Sequence, residues 1–196
     1  MMRPDPMSLR PTPELRTKRL RLRRWRPEDL AAFAALNADP RVVEFLSEAL
    51  SRADSDALVA RIEAHFDAHG FGLFAVDVVA DDAFAGFIGL SIPRFDAPFT
   101  PCVEISWRLA ADFQGRGYAT EGARAALAFG FDTLALPEIV SFTSAANVRS
   151  RRVMEKLGMT HDPGDDFDHP ALPAGHPLRR HVLYRLRSPH PPRRSP

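Results

Sequence analysis

One short segment, residues 114–119, constrains the fold most, because it joins a strand-like run ending at Leu109 to a helix-like run beginning near Gly117. Gly115 and Gly117 can adopt positive φ and let a ligand approach the backbone closely. The first N–H groups of the following helix lack intrahelical acceptors and lie at the positive end of the helix dipole. The segment therefore predicts a phosphate-binding loop, and a plain turn between a strand and a helix is the alternative.

The hydrophobic pattern along the chain predicts a mixed α/β layer. Apolar residues recur every second position in the predicted strands and every third or fourth position in the predicted helices. Strands are predicted over residues 15–25, 71–79, 84–92, 103–109, 139–143 and 181–186. Helices are predicted over residues 27–39, 54–69, 117–136 and 147–158, and a loop rich in Asp, Pro and His over residues 162–176. No internal repeat is visible, so we expect a single mixed layer.

Length and composition favour one domain. The 196 residues, 45% of them hydrophobic, are enough to bury a sizeable core. We expect this domain over residues 14–187, with a flexible N-terminal tail at 1–13 and a disordered Pro- and Arg-rich C-terminal tail at 188–196.

Charge and cysteine content argue against several classes of protein. A formal net charge of +1 argues against a dedicated nucleic-acid binder. Apolar runs of the roughly 20 residues that span a membrane are absent from the sequence, so we expect no membrane partner. The single cysteine, Cys102, cannot form an internal disulfide, which favours a reducing compartment, the cytoplasm.

Four motifs in a fixed order carry a family resemblance. They are Thr17 to Arg23 at the start of the domain, Glu104-Ile105-Ser106-Trp107 on the strand before the loop, Gln114-x-x-Gly117-x-Ala119 in the loop, and Asn147-x-x-Ser150 followed by Glu155 to Met159. Together they resemble the GNAT superfamily of acyl-coenzyme A-dependent N-acetyltransferases. The match is to its RimJ/RimL-like branch, named for enzymes that acetylate the N-termini of ribosomal proteins.

The resemblance covers about residues 15–187 and implies the GNAT acyl-CoA acyltransferase fold. In that fold a central, mostly antiparallel sheet of about six to seven strands is flanked by about four helices. The implied cosubstrate is acetyl-CoA, with no metal. The implied partner is an amine acceptor, either a protein N-terminus or a small molecule, amino acid or drug, and many relatives are homodimers.

The resemblance also assigns the coenzyme site residue by residue. The backbone of Gln114, Gly115, Arg116, Gly117, Tyr118 and Ala119 would receive the pyrophosphate, and Leu109 to Ala111 would lie along the pantetheine arm. Asn147 would contact that arm from the other side, a role compatible with capping its own helix. The guanidinium groups of Arg116 and Arg149 would meet the phosphates, and solvation by water is the alternative for both.

The reaction requires that the amine lose a proton before it attacks a thioester. About one α-amine in ten is uncharged at neutral pH, against about one lysine side chain in a few thousand, so an α-amine needs only a modest base. Glu104 is the candidate base, because its side chain leaves the apolar face of its strand. An ion pair with an arginine is the alternative for this carboxylate.

The leaving thiolate of coenzyme A needs a proton or a hydrogen-bond donor. Many members of the superfamily use a tyrosine seven residues after the Asn147 position, where this chain has Met154. Ser150 resembles the serine proposed for this role in the branch, and a hydrogen bond within its own helix turn is the alternative. The missing tyrosine leaves a second hypothesis open, a non-catalytic sensor of acyl-coenzyme A. The sequence assigns no role to His169, His176 or Tyr184.

Other motifs are weaker. Gly115 and Gly117 with Glu138 imitate a dinucleotide fingerprint, but Thr120 stands at the third glycine position. His65 and His69 have metal-ligand spacing, yet Phe66 replaces the glutamate that a zinc-protease motif requires. We therefore expect a pair of surface histidines there.

Overall fold

The computed structural model describes residues 13–46 and 49–189, so most of both predicted tails, residues 1–12 and 190–196, lies outside the described part of the chain. Its strands are β1 (Leu15–Arg16), β2 (Leu20–Arg23), β3 (Leu73–Val78), β4 (Ala83–Ser91), β5 (Glu104–Leu109), β6 (Glu138–Ser144), β7 (Thr160–His161), β8 (Phe167–Asp168) and β9 (Arg180–Arg187). Its α-helices are α1 (Asp29–Ala38), α2 (Pro40–Val43), α3 (Arg52–His69), α4 (Tyr118–Ala128) and α5 (Val148–Lys156).

All the strands belong to one sheet of order β1-β2-β3-β4-β5-β6-β9-β7, and β8 also pairs with β9. Every pairing is antiparallel except that of β5 with β6. The predicted mixed, mostly antiparallel α/β fold is therefore confirmed. The sheet has more strands than expected because two-residue strands add to it, and α2 adds a short fifth helix. None of the helices within the described ranges is both long and apolar enough to cross a membrane.

The prediction of one strand over residues 15–25 was wrong, because the chain reverses there. β1 and β2 form an antiparallel hairpin in which Leu15 lies opposite Leu22. The turn is closed by Thr17, whose N–H donates to the carbonyl of Leu20 and whose hydroxyl oxygen accepts from the N–H of Leu20 at 2.9 Å. A short hydroxyl side chain that bonds its neighbouring backbone favours such a turn over a continuous strand.

Helix ends follow local capping signals with small shifts from the predicted positions. α3 begins two residues before the predicted start, because the Ser51 side chain caps it by accepting from the N–H of Asp54. Gly70, at φ +74°, ends it as predicted. The helix predicted over residues 117–136 instead changes after Ala128 into a π-helical turn, Phe129–Thr133, where the N–H of Leu134 reaches back to Phe129.

Two contacts fix α4 against the sheet. Gly122 lies so close to β4 that a Cβ atom there would come within 2.5 Å of Ile88. Gly130, in the π-helical turn, is equally close to β6, because its Cβ would come within 2.7 Å of Ile139. Both neighbours are fully buried in the main hydrophobic core. Close packing on both strands leaves the start of α4 little freedom to move relative to the ends of β5 and β6.

A buried ion-pair network ties α1 to the sheet. The guanidinium of Arg23 donates to Asp29 at 2.7 and 2.9 Å and to both carboxylate oxygens of Asp77 at 2.7 Å. The three residues are at most 6% exposed. Arg21 also donates to Asp77, and these two guanidinium groups lower the pKa of that carboxyl despite its burial.

Candidate active site

The central feature is a cleft between β5 and β6. The two parallel strands are in register only where Glu104 lies opposite Val140, and beyond this pair they diverge. A cavity of about 290 Å³ lies at the divergence. Its walls come from the end of β5, the loop before α4, the start of α5 and the segment around α2, and they include Val42, Phe45, Leu46, Trp107, Arg108, Leu109, Gln114, Gly115, Gly117, Tyr118, Ala119, Asn147, Arg149 and Ser150.

The glycine loop presents free donors to this cleft. Gly115 and Gly117 have φ of +73° and +81°, the left-handed conformation that glycine adopts without strain. The N–H groups of residues 115–120 donate to no acceptor within the described ranges, and the first internal bond of the helix runs from Glu121 to Gly117. The Gln114 side chain donates to the carbonyl of Leu109 at 2.9 Å and so fastens the loop to β5. Consecutive free amides at a helix start fit a diphosphate.

Asn147 organises the start of α5. Its Oδ1 accepts from the N–H of Ser150 at 3.2 Å, which confirms the predicted helix cap and fixes the orientation of the amide. Its Nδ2 then donates to the hydroxyl oxygens of Thr143, at 3.0 Å, and Ser150, at 3.2 Å. Because the Ser150 oxygen is an acceptor in this bond, its own proton is free for another group. Both Asn147 and Ser150 border the cleft.

Arg149 links three walls of the cleft. One nitrogen of its guanidinium donates to the Gln114 side chain at 3.2 Å, and another donates to Glu44 at 2.6 Å. The guanidinium also lies 5.5 Å from the centre of the Phe45 ring. The side chain is more than half exposed, so these bonds are individually weak and exchangeable for a stronger anion.

Three residues assigned to the coenzyme by resemblance, Ala110, Ala111 and Arg116, lie outside the cavity lining. Ala111 begins a short 3₁₀ turn, Ala111–Phe113, just after β5. The backbone carbonyl of Arg116 accepts a hydrogen bond from the Arg19 side chain at 3.0 Å. The guanidinium of Arg116 itself lies 6.0 Å from the ring centre of Phe113. The other assigned residues, together with Ser150, border the cavity.

Glu104 is an unpaired carboxylic acid at the point where the strands part. It makes no hydrogen bond or ion pair with any residue in the described ranges, so the alternative of an arginine partner was wrong. Its register partner, Val140, belongs to a second apolar cluster with Phe95, Phe99, Phe142, Phe167 and Leu183. Burial raises the pKa of the Glu104 carboxyl to about 8. A carboxylate with this pKa is matched in basicity to an amine at physiological pH.

Arg108 lies on the same face of β5 as Glu104, and sequence reasoning missed it. It borders the cavity, and one of its guanidinium nitrogens donates to the Asn37 side chain at 2.6 Å. Burial lowers the pKa of this guanidinium to about 10, and it remains charged at neutral pH. Its position four residues after Glu104 on an alternating strand was the only available signal.

The remaining ionisable candidates are occupied. His65 bonds the Phe71 carbonyl through Nδ1 at 2.7 Å and accepts from the N–H of Ile92 through Nε2 at 3.2 Å, and burial lowers its pKa. Among the described residues, no group of three or more His, Cys, Asp and Glu side chains is arranged for a metal. Burial, assisted by the nearby Glu104 charge, raises the pKa of the Cys102 thiol to about 11, so it is a poor nucleophile.

Three of the acidic side chains in the loop over residues 162–176 already have a hydrogen-bond or ion-pair partner. Asp165 pairs with Arg185 at 2.7 Å, Asp166 with His161 at 2.7 Å, and Asp168 with Arg179 at 3.3 Å. Attraction of a cationic acceptor by these carboxylates is correspondingly weak. The loop was also expected to lack regular structure, whereas Phe167–Asp168 pairs with β9.

Residues without a predicted role have structural contacts. His169 packs 4.7 Å from the Phe95 ring and 4.9 Å from His181, measured between ring centres. The N–H of Leu178 donates to a ring nitrogen of His176 at 3.1 Å. The hydroxyl of Tyr184 donates to Glu155 at 3.3 Å. Met154, at the position of the superfamily tyrosine, is 1% exposed in the main core and does not border the cleft.

A parallel strand pair that diverges over a loop of free amides, with a capped helix opposite, defines the class of acyl-coenzyme A-dependent acyltransferases. The family model described as acetyltransferase (GNAT) domain matches residues 19–160. The chain belongs to this family and is an acyltransferase enzyme. GNAT acetyltransferases use acetyl-CoA as the acetyl donor.

Individual relatives agree with this assignment. The chain is 29% identical over 162 residues to an FsC-acetyl coenzyme A-N(2)-transacetylase of Aspergillus fumigatus, covering 79% of this chain and 68% of that protein. A crystal structure of an acetyltransferase from Agrobacterium tumefaciens is 30% identical, with a TM-score of 0.72 over 90% of this chain and 95% of that one. The ribosomal-protein acetyltransferase RimL, solved with coenzyme A, has a TM-score of 0.71 over 90% of this chain and 97% of its own, but at 16% identity it shows the fold alone.

Proposed function

We propose that the protein acetylates a primary amine by direct attack of that amine on acetyl-CoA within a ternary complex. The amine nitrogen forms a bond to the acetyl carbon while the carbon–sulfur bond breaks. The amine proton passes to Glu104, directly or through water. Ser150 donates a hydrogen bond to the departing thiolate, and the proton that the amine has lost reaches the sulfur through Glu104 and solvent. The products are an N-acetyl amide and free coenzyme A, and no acyl group is attached to the protein.

The observation that carries the donor half of this proposal is the row of free N–H groups at residues 115–120 beside the cavity. Each can donate to a phosphate oxygen, and the α4 dipole adds a favourable field. The uncharged pantetheine arm fits the neighbouring wall of Leu109 and Asn147. In the bound state the Arg149 guanidinium exchanges its exposed partner Glu44 for a phosphate.

The proposed division of acid and base roles rests on two different environments. Glu104 has no partner and a raised pKa, so it accepts a proton readily near pH 8. The Ser150 oxygen already accepts a hydrogen bond from Asn147, which leaves its proton for the sulfur. General acid and base assistance of this kind contributes roughly 10²- to 10⁴-fold to a rate.

The branch and the acceptor belong to the same proposal. The four sequence motifs favour the RimJ/RimL-like branch and, with it, a protein N-terminal α-amine. A small amine is the alternative acceptor, since one fold serves many substrates. The single cysteine favours a reducing, cytoplasmic location.

Thiol release from acetyl-CoA tests the proposal. Purified protein is incubated with acetyl-CoA and with free amino acids, peptides carrying free N-termini, or polyamines, while calorimetry measures coenzyme A binding separately. We expect binding and amine-dependent thiol release. Binding without thiol release for any amine would instead favour an acyl-coenzyme A sensor, and absence of binding would contradict the donor site itself.

A further inference from the structure

Arg108 is the one guanidinium among the described residues bordering the cavity that is partly buried, and its contacts do not neutralise its charge. Its single hydrogen bond goes to a neutral amide oxygen, that of Asn37, and its remaining nitrogens reach no carboxylate within the described ranges. A desolvated charge normally has a counter-ion, because its burial alone is costly. Arg23 of the same protein has such counter-ions, because its guanidinium forms ion pairs with Asp29 and Asp77.

The surroundings of Arg108 hold it in place but do not neutralise it. Asn37 is fully buried and is fixed in turn by a bond to the Ser55 hydroxyl at 3.0 Å. The guanidinium also lies 5.4 Å from the ring centre of Phe87. These contacts orient a forked donor whose other nitrogens remain available to a ligand in the cavity.

Coenzyme A does not supply the missing anion in the proposed complex. Its phosphates are assigned to the amides of residues 115–120, and the arm that reaches the thioester carries no charge. Side chains alternate along β5, so Arg108 is directed to the face that carries Glu104, opposite Leu109 and Trp107. The Cα atom of Glu104 is about 13 Å away along the strand, and no hydrogen bond or ion pair joins the two side chains.

We infer that Arg108 binds a carboxylate of the acceptor. This selects the alternative acceptor of the proposed function, a small amine bearing a free carboxylate and of the amino-acid class, over the protein N-terminus that the motifs favour. The inference rests on the proposed function and names the substrate class of the same site. Arg108 would hold the anionic end of such a molecule, and the amine end would reach Glu104 through water, since the two residues are well separated along β5. The apolar wall of Val42 and Phe45 would receive its side chain.

Product binding tests this assignment without requiring turnover. Calorimetry measures the affinity of N-acetyl-L-phenylalanine, N-acetyl-L-alanine and their carboxamides in the presence of coenzyme A. We expect the wild type to bind at least one acid at least tenfold more tightly than its carboxamide. Arg108→Gln should abolish that preference, Arg108→Lys should restore part of it, and Arg41→Gln, which changes an exposed arginine, should leave it unchanged.

The assignment of Arg108 is overturned if the wild type binds acid and carboxamide equally, or binds neither, and this comparison holds even if a variant fails to fold. It is also overturned if Arg108→Gln weakens both ligands to the same extent. Thiol release with peptides or other amines, combined with no preference for a carboxylate, would sustain the proposed function and reject this inference alone.

Discussion

Gly115 and Gly158 share one backbone geometry in two different places. Their φ angles are +73° and +79°, and a Cβ atom added to either would meet no other atom within 4 Å. Gly115 borders the cleft, whereas Gly158 follows the end of α5 and does not. Substitution of both glycines therefore allows the effect of backbone strain on stability to be separated from the effect of an added side chain on ligand binding.

Replacement of each glycine by alanine should destabilise the fold by about 1–2 kcal/mol, because both residues occupy the left-handed region. Only Gly115→Ala should also weaken coenzyme A binding, by roughly 10- to 100-fold, since a methyl group would displace phosphate from the loop amides. Calorimetry with coenzyme A and thermal melts measure the two effects. Equal coenzyme A affinities in the two variants would contradict the phosphate-binding role of the loop.

Glu104→Gln should lower the rate of acetyl transfer by about 100-fold or more while leaving coenzyme A affinity unchanged. In the wild type, activity should rise with pH and reach half its maximum near pH 8, because only the ionised carboxylate accepts a proton. The assay uses a weakly basic acceptor amine that is uncharged throughout the pH range, so that the pH profile reports the titration of Glu104 and not that of the acceptor. A variant that keeps the same pH profile would remove Glu104 from the mechanism.

The raised pKa of Glu104 also predicts a stability change of the opposite sign. Because its folded pKa of about 8 exceeds the unfolded value of 4.5, the contribution of the protonated group to stability is full below the unfolded value, declines between the two values and is lost as pH rises through 8. Glu104→Gln should therefore melt close to the wild type at pH 5 and above it at pH 9. A difference that does not vary with pH would contradict the desolvation of this carboxyl.

Ser150→Ala should lower turnover by roughly 10- to 100-fold, the value of a hydrogen bond to a charged sulfur, with little change in coenzyme A affinity. The helix cap survives, because Asn147 accepts from the backbone N–H of residue 150. Thr143→Val removes the other hydroxyl partner of Asn147 and is the matched control. If both variants lose turnover equally, the role lies in the orientation of Asn147 and not in proton donation by Ser150.

Arg23→Met should lower the free energy of unfolding by about 3–5 kcal/mol, because Asp29 and Asp77 would remain buried without their main counter-ion. The pKa of Asp77 is lowered in the wild type, so its contribution is present at neutral pH and is lost as pH falls through the folded pKa. Denaturant unfolding should therefore show a smaller difference between variant and wild type at low pH. A constant difference would mean that lost packing, and not charge, explains the effect.

Local patterns predicted most of the fold, whereas long-range contacts decided what was missed. Alternation identified β3, β4 and β5, and Gly70 and Asn147 marked helix ends through short-range chemistry. The hairpin at Thr17 depends in part on Glu121, whose carboxylate accepts from the Thr17 hydroxyl at 2.7 Å across 104 residues. No window of sequence contains both partners.

The same distinction holds for the candidate site. Glu104, Asn147 and Ser150 follow recognisable motifs, and their positions could be predicted from the sequence. The position of Arg108 in the site could not, because it depends on a bond to Asn37, 71 residues earlier, and on the lack of a carboxylate partner within the described part of the chain. The apolar wall around Phe45 comes from a segment with no motif of its own.

The divergence of β5 and β6 makes this sheet two half-sheets that are in register at a single residue pair. Within the ranges that the structure describes, backbone amides along the facing edges beyond that pair have no strand partner across the gap, so hydrogen exchange there should be fast in the free protein. A ligand that lies in the seam touches both halves and slows that exchange on each side at once. The bound donor substrate would then take the place of a missing strand partner, and its presence would determine the local stability of the centre of the sheet.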